Sequence, residues 1–263
     1  MLGFLHITQE ESLGYKKRLY MRLQKDYGTQ WEQKSLFSHP VFLGEHKTYP
    51  CLSEKRKRER LYTLVSMLQQ RGVSKVLLSE NSLQQEIPHM KRADAQHLYG
   101  HLAGKVGAFV AEKTGDTAYC QISSLGSQEE QAILHLAKHY RYLMIDAGRD
   151  TENVCQALRK AYGLPVVSAP SDRQIKSASF ALLWKQKGRR LLLDNNCLVF
   201  SPMKSEKNHQ GGREIKKLDL ETPKTYQDQI PQGFPLHPIL SEALKRGCIL
   251  GEKLKIHGML LDN

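Results

Sequence analysis

The sequence predicts an α/β protein: a Rossmann-like three-layer sandwich on a mostly parallel sheet, with a small N-terminal appendage. Three observations carry that expectation. First, Arg141–Ser171 reads as strand, turn, helix, turn, strand, in about thirty residues, the length of one βαβ unit. Second, its apolar runs Tyr142–Ile145 and Leu164–Val167 are short and lack polar alternation, as strands buried on both faces of a parallel sheet do. Third, helix signals and short apolar runs alternate on both sides of this unit, the pattern of repeated βα crossovers.

Taken in chain order, residues 1–52 form the appendage. Met1–His6 is too short for the apolar part of a secretory leader. Thr8 and Glu11 have capping-box spacing, and Leu19, Tyr20, Leu23 and Tyr27 recur at helical spacing before Gly28. A pair of strands fits Tyr15–Leu23 equally well. Between Trp31 and Tyr49, Pro40 and Pro50 argue against a continuous helix. Residues 53–71 predict a basic amphipathic helix: Ser53 caps it, Leu61, Leu64, Val65 and Leu68 form its apolar stripe, and Gly72 follows its end.

The main domain is expected over residues 72–263. Val73–Ser79 reads as its first strand, and a helix follows from about Ala93 to Lys113. Gly100, Gly104 and Gly107 lie on adjoining faces of that helix. Glycine weakens a helix interior by about 1 kcal/mol relative to alanine, so this stripe predicts a close backbone approach to a neighbour. Ala118–Ile122 is the next strand, Ser127 caps a helix to about His139, and Arg141–Asp146 is the strand after it. Glu152–Tyr162 is a helix ended by Gly163, Val166 and Val167 lie in a strand, Ser171 and Asp172 open a short helix, and Ser179–Trp184 is another strand. Leu191–Leu193 and Leu198–Phe200, joined by the turn signal Asp194-Asn-Asn196, are expected to pair antiparallel at the sheet edge.

Residues 201–233 shift to a polar, glycine- and lysine-rich composition with one β-like run, Glu214–Leu220, and fit a hairpin arm or a mobile excursion equally. Pro238 suits the first turn of a helix to about Lys245, with Gly247 after it. Leu254–Leu261 closes the chain as a strand or short helix. The layout of His237–Leu261 is similar to the end of shikimate-dehydrogenase-like proteins, but that family's catalytic motifs are absent and none of its residues is carried over.

Composition narrows the function classes. Five cysteines are scattered without a CxxC pair, the usage of a reduced, cytoplasmic protein rather than a disulfide framework. No run of eighteen apolar residues offers a membrane span. A formal charge of +12 favours anionic partners. Lys55, Arg56, Lys57, Arg58 and Arg60 sit in the first turns of the basic helix, against its dipole, and are the candidate nucleic-acid contacts. Other basic runs are Lys16–Arg18 beside Tyr15, Tyr20 and Tyr27, then Lys91–Arg92, Lys185–Arg190 and Lys204–Lys217.

The leading functional expectation is a nucleotide-like or other small anionic ligand at the carboxyl ends of the strands, where open parallel sheets bind ligands. Ser123, Ser124, Gly126 and Ser127 join a strand to a helix N-terminus, whose free N–H groups favour phosphate. Asp146 ends the following strand about twenty residues later, where an acid can hold ribose hydroxyls, with Gly148 and Arg149 beside it. NAD or NADP fits this topology, although the turn has one glycine where the dinucleotide fingerprint has three. His97 with His101, and His135 with His139, have metal-ligand spacing on two helices, but no third ligand is tied to either pair, so no metal site is expected. No nucleophile motif is present. The remaining alternative is a non-catalytic interaction scaffold on a Rossmann-like sheet.

Overall fold

A computed structural model of the chain describes residues 1–9, 29–49, 52–79, 87, 90–184, 190–203 and 209–262. The expected capping box at Thr8–Glu11, the helical pattern Leu19–Tyr27 and the basic run Lys16–Arg18 lie wholly or mainly outside them. Packing divides the chain into two units, Met1–Ala95 with Lys224–Ile249 and Gln96–Pro223 with Leu250–Asn263.

Among the described residues, the first unit is built on a five-stranded sheet in the order β2-β3-β1-β4-β5. These strands are β1 (Leu2–Gln9), β2 (Thr29–Leu36), β3 (His39–Thr48), β4 (Lys75–Leu78) and β5 (Lys91–Arg92). Only β2 runs antiparallel to its neighbour. The apolar run at the N-terminus is therefore a central strand. This corrects the expectation that Val73–Ser79 opens the main sheet: β4 pairs with β1, Leu2 opposite Lys75 to Leu5 opposite Leu78. A buried strand needs a partner on each side, and two apolar runs separated in sequence supply each other's.

The basic helix α1 (Glu54–Gln70) lies between β3 and β4 in sequence, with the Ser53 hydroxyl accepting from the Arg56 N–H at 3.4 Å. Leu64, Val65 and Leu68 are buried in one cluster with Leu5, Ile7, Val73, Val76 and Leu78. Each such side chain contributes about 1.5–3 kcal/mol on burial. The ring of Phe4 meets Phe234 edge-on at 5.2 Å, and Glu242 of α6 (Leu236–Lys245) pairs with Lys75. Pro238 sits in the first turn of α6 and Gly247 follows it at φ +71°.

Among the described residues, the second unit has a seven-stranded sheet, β14-β13-β11-β9-β6-β7-β8. Its strands are β6 (Thr117–Gln121), β7 (Tyr142–Asp146), β8 (Val166–Ser168), β9 (Phe180–Leu183), β11 (Leu198–Phe200), β13 (Arg213–Glu221) and β14 (Lys255–Leu261). Starting from β6 the chain adds β7 and β8 on one side, then returns past β6 to add β9, β11 and β13 on the other. All pair parallel except β14. That reversal is the doubly wound order. The fold is Rossmann-like.

The intervening helices are α2 (Gln96–Ala111), α3 (Ser127–Leu136), α4 (Thr151–Tyr162) and α5 (Asp172–Lys176). The glycine stripe of α2 works as its spacing predicts. A Cβ on Gly104 would lie 2.7 Å from His135 Cβ and 3.1 Å from Ala132 Cα of α3, so only a bare backbone fits there. Gly163 ends α4 at φ +64°, and Ser171 and Gln174 form a reciprocal capping box on α5. Lys105 of α2 donates from Nζ to the carbonyls of Gly251, Glu252 and Leu254 at 3.0, 3.1 and 2.9 Å, fixing the turn that leads into β14. Burial pushes its ammonium below the usual lysine range, with the Glu252 carboxylate opposing.

Three expectations in the second unit are corrected. Ser127 does not cap α3: Gly126 occupies the cap position in extended conformation, without a side-chain hydrogen bond, and the helix ends at Leu136. Leu191–Leu193 and Leu198–Phe200 do not form a hairpin. Asp194 Oδ1 accepts from the Asn196 N–H and turns the chain out of register, so that β11 enters the main sheet beside β9 while β10 (Leu191–Leu192) pairs parallel with β12 (His209–Gln210). The β-like run Glu214–Leu220 is the body of the nine-residue strand β13, a member of the main sheet rather than a hairpin arm or an excursion, and its Ile215, Leu218 and Leu220 are buried between exposed charged positions.

Candidate functional site

The reversal of strand order falls between β6 and β9, and the carboxyl ends of the strands beside it are in register. Gln121, last in β6, lies directly between Asp146 of β7 and Leu183 of β9. The ladder continues one step beyond: the Ile122 N–H donates to the Asp146 carbonyl at 2.9 Å and the Trp184 N–H to the Gln121 carbonyl at 2.8 Å. A rigid three-strand platform therefore carries the turns that follow it.

Asp146 is the most constrained polar group of this edge. Its Oδ2 accepts from the hydroxyl of buried Tyr119 at 3.1 Å, and its Oδ1 accepts from the Gly148 N–H at 2.9 Å. Gly148 adopts φ +62°, the left-handed region that glycine tolerates without strain. Thr151 completes the turn: its hydroxyl accepts from the Ala147 N–H at 2.7 Å and donates to the Gly148 carbonyl at 2.8 Å. Asp146 itself remains half-exposed. The result is a carboxylate aimed by the fold and still open to solvent.

The remaining sequence-predicted residues surround it unevenly. Ser123, Ser124 and Ser127 are exposed in the β6–α3 turn, and Arg149 is exposed after Gly148. Gly126 leaves the α3 N-terminus without a side-chain cap, which suits an anion. Against that, a Cβ on Gly126 would meet Glu129 Oε2 at 2.6 Å, so a carboxylate already lies over this turn. Glu130 also stands in the first turn, accepting from the Tyr162 hydroxyl at 2.8 Å. The end of α3 thus carries its own negative charge.

Sequence reasoning missed Gln121 and Tyr119. Gln121 is 5% exposed, and its Oε1 is buried with no hydrogen-bond partner among the described residues. Leaving a buried acceptor unsatisfied costs about 1–3 kcal/mol, and native interiors keep few such atoms. The one available signal was a glutamine ending an otherwise apolar strand.

Elsewhere the chemistry is already engaged or dispersed. Of the five basic residues of α1, Lys55, Arg56 and Arg58 face solvent, while Lys57 pairs with Glu54 at 2.6 Å and Arg60 is close enough to His46 to act on its charge. Among the described residues no three histidine, cysteine, aspartate or glutamate side chains are gathered as metal ligands, and His139 lies past the end of α3. Cys120 and Cys197 are buried, which pushes both thiols up to about 12. A cleft of about 540 Å³ on the first unit is lined in part by His6, Trp31, Glu32, Glu45 and Phe234. Glu32 is paired with Lys34 at 3.0 Å and Glu45 accepts from the Thr8 hydroxyl at 3.4 Å. No described helix is long and apolar enough to cross a membrane.

No family model and no curated protein matches the chain. Among solved structures it is similar to an L-tryptophan dehydrogenase from Nostoc punctiforme, at 12% identity and a TM-score of 0.28, over 94% of this chain and 68% of that one. A likeness of that size carries no argument about chemistry, and the Rossmann-like assignment stands on the strand order itself.

Proposed function

We propose that the carboxyl edge of the seven-stranded sheet binds a small nucleotide-like ligand through its ribose. The observation that carries this reading is Asp146, at the end of the strand beside the switch point and oriented by Tyr119 and the Gly148 N–H. Doubly wound sheets bind ligands in the crevice at such a reversal, and an acid at that strand end suits ribose hydroxyls. Ser123, Ser124, Gly126 and Ser127 would border the ligand on one side, with Gly148 and Arg149 on the other. NAD and NADP are the dinucleotide candidates, with Arg149 the nearest cation in sequence for a phosphate. The reading is one of binding, and no reaction is assigned.

The experiment is calorimetric titration of the protein with NAD, NADP, AMP and adenosine at two salt concentrations. The expected result is saturable binding to at least one, reduced tenfold or more by Asp146→Ala without loss of the folded state. No binding by any of the four, or binding indifferent to Asp146→Ala, would refute the reading. Short DNA and RNA in the same titration test the alternative, nucleic-acid binding through Lys55, Arg56, Lys57, Arg58 and Arg60 of α1. Nucleic-acid binding through them would weaken steeply with salt.

A further inference from the structure

We infer that Gln121 is a specificity-determining residue of this same site: its side-chain carbonyl is the second acceptor of a pair, with the Asp146 carboxylate, that reads the vicinal hydroxyls of an unmodified ribose. This rests on the binding reading above and names the ligand chemistry that reading leaves open.

The argument is one of position and of an unmet need. Side chains alternate along a strand, so Gln121 projects from the same face of the sheet as Tyr119. Tyr119 reaches Asp146 Oδ2 across to the next strand on that face. Asp146 and Gln121 are register partners on adjacent parallel strands, about 4.8 Å apart in the hydrogen-bonding direction. Two side-chain acceptors therefore stand side by side at the carboxyl edge, on β6 and β7, next to the reversal of strand order between β6 and β9. Asp146 has donors already placed for both its oxygens, whereas Gln121 Oε1 is shut from water with none among the described residues. What is missing is a donor.

The charges favour the same chemistry. Asp146 is anionic, and the α3 N-terminus close by in sequence carries Glu129 over Gly126. A phosphate pressed against Gln121 would bring only acceptors to an acceptor and a third negative charge to the pair. A neutral group with two adjacent O–H donors gives one to Gln121 and the other to the open side of the carboxylate. A ribose diol has that arrangement; a 2′- or 3′-deoxyribose has lost half of it.

The test compares adenosine, 2′-deoxyadenosine and 3′-deoxyadenosine on the wild type and Gln121→Met by calorimetric titration, with melting of both ligand-free proteins recorded. Methionine matches the length of glutamine and needs no hydrogen bond. The expected result has three parts. The wild type prefers adenosine to at least one deoxy form by about tenfold, which is about 1.4 kcal/mol. Gln121→Met loses that preference by weakening adenosine alone. The ligand-free variant melts above the wild type by about 2–4 °C, because an unsatisfied buried acceptor is gone. A glutamine that merely supports the strand would move melting in the opposite direction. A variant that keeps the wild-type preference, or melts lower, overturns the inference while Asp146-dependent binding stands. A wild type that binds NAD but not adenosine, or binds all three nucleosides alike, also overturns the inference alone. Absence of binding by any nucleoside or nucleotide sinks both.

Discussion

Acidification should loosen the first unit through a single imidazole. His46 lies in β3 with Ile7 and Thr29 as register partners, and it is only 3% exposed. Burial first, and the Arg60 guanidinium second, lower its pKa from the ordinary 6.5 to about 4. The folded protein holds the ring neutral while the unfolded chain takes a proton near 6.5. Stability is therefore undiminished above that value and falls as pH drops through the window from 6.5 to about 4. At about 1.4 kcal/mol per pH unit, the difference reaches about 2 kcal/mol by pH 5 and roughly 3 kcal/mol near pH 4. The assay has two arms: NMR titration of the His46 ring, and denaturant unfolding at pH 7 and pH 5 for wild type and His46→Phe. His101 and His135 are also lowered by burial, and the variant subtracts their share. A ring titrating near 6.5, or a variant losing as much stability on acidification as the wild type, would refute the reasoning.

Other perturbations follow from the packing. Gly104→Ala gains about 1 kcal/mol of helix propensity but drives a methyl into His135 and Ala132, which costs about 1–3 kcal/mol, so the net effect should be a loss of up to about 2 kcal/mol, read by denaturant unfolding. A gain in stability would mean that α2 and α3 separate freely. Tyr119→Phe removes a donor to a half-exposed carboxylate and should cost about 1–2 kcal/mol. It should also weaken any Asp146-dependent ligand, which the calorimetric titration above measures. Lys105→Met strips three carbonyls of their shared donor and should cost about 2 kcal/mol. Faster amide exchange at the start of β14 would locate that loss.

The middle of the second unit was legible because local and tertiary signals agree there. The short apolar runs of β6, β7 and β9, the left-handed Gly163, the Ser171 cap and the glycines of α2 each have a reason visible within a few residues. Elements whose reason lies elsewhere in the chain were misread. β1 is apolar because it is sandwiched between β3 and β4, and nothing within residues 2–9 announces those partners. The run Glu214–Leu220 of β13 is β-like in the sequence, but its lysines and acids suit an exposed arm as well as a sheet, and its place follows only from β11 and β14 on either side. At the candidate site, Asp146 is singled out by the sequence because it ends a strand. Tyr119 and Gln121 are not, because a hydroxyl crossing to the next strand and an acceptor without a donor are properties of the assembled sheet.

The two units are interleaved in the chain, which crosses between them at residues 95/96, 223/224 and 249/250. That threading sets an order of events during synthesis. The first five strands leave the ribosome early, yet Phe234, which covers Phe4, and Glu242, which neutralises Lys75, emerge only after β6 to β13 have been made. Domains that are contiguous in sequence complete themselves in turn as they appear. Here the nascent five-stranded sheet lacks the ring that covers Phe4 until those strands have been made, and β14 of the other unit arrives later still. A fragment ending at residue 95, or one starting at 96, therefore isolates neither unit.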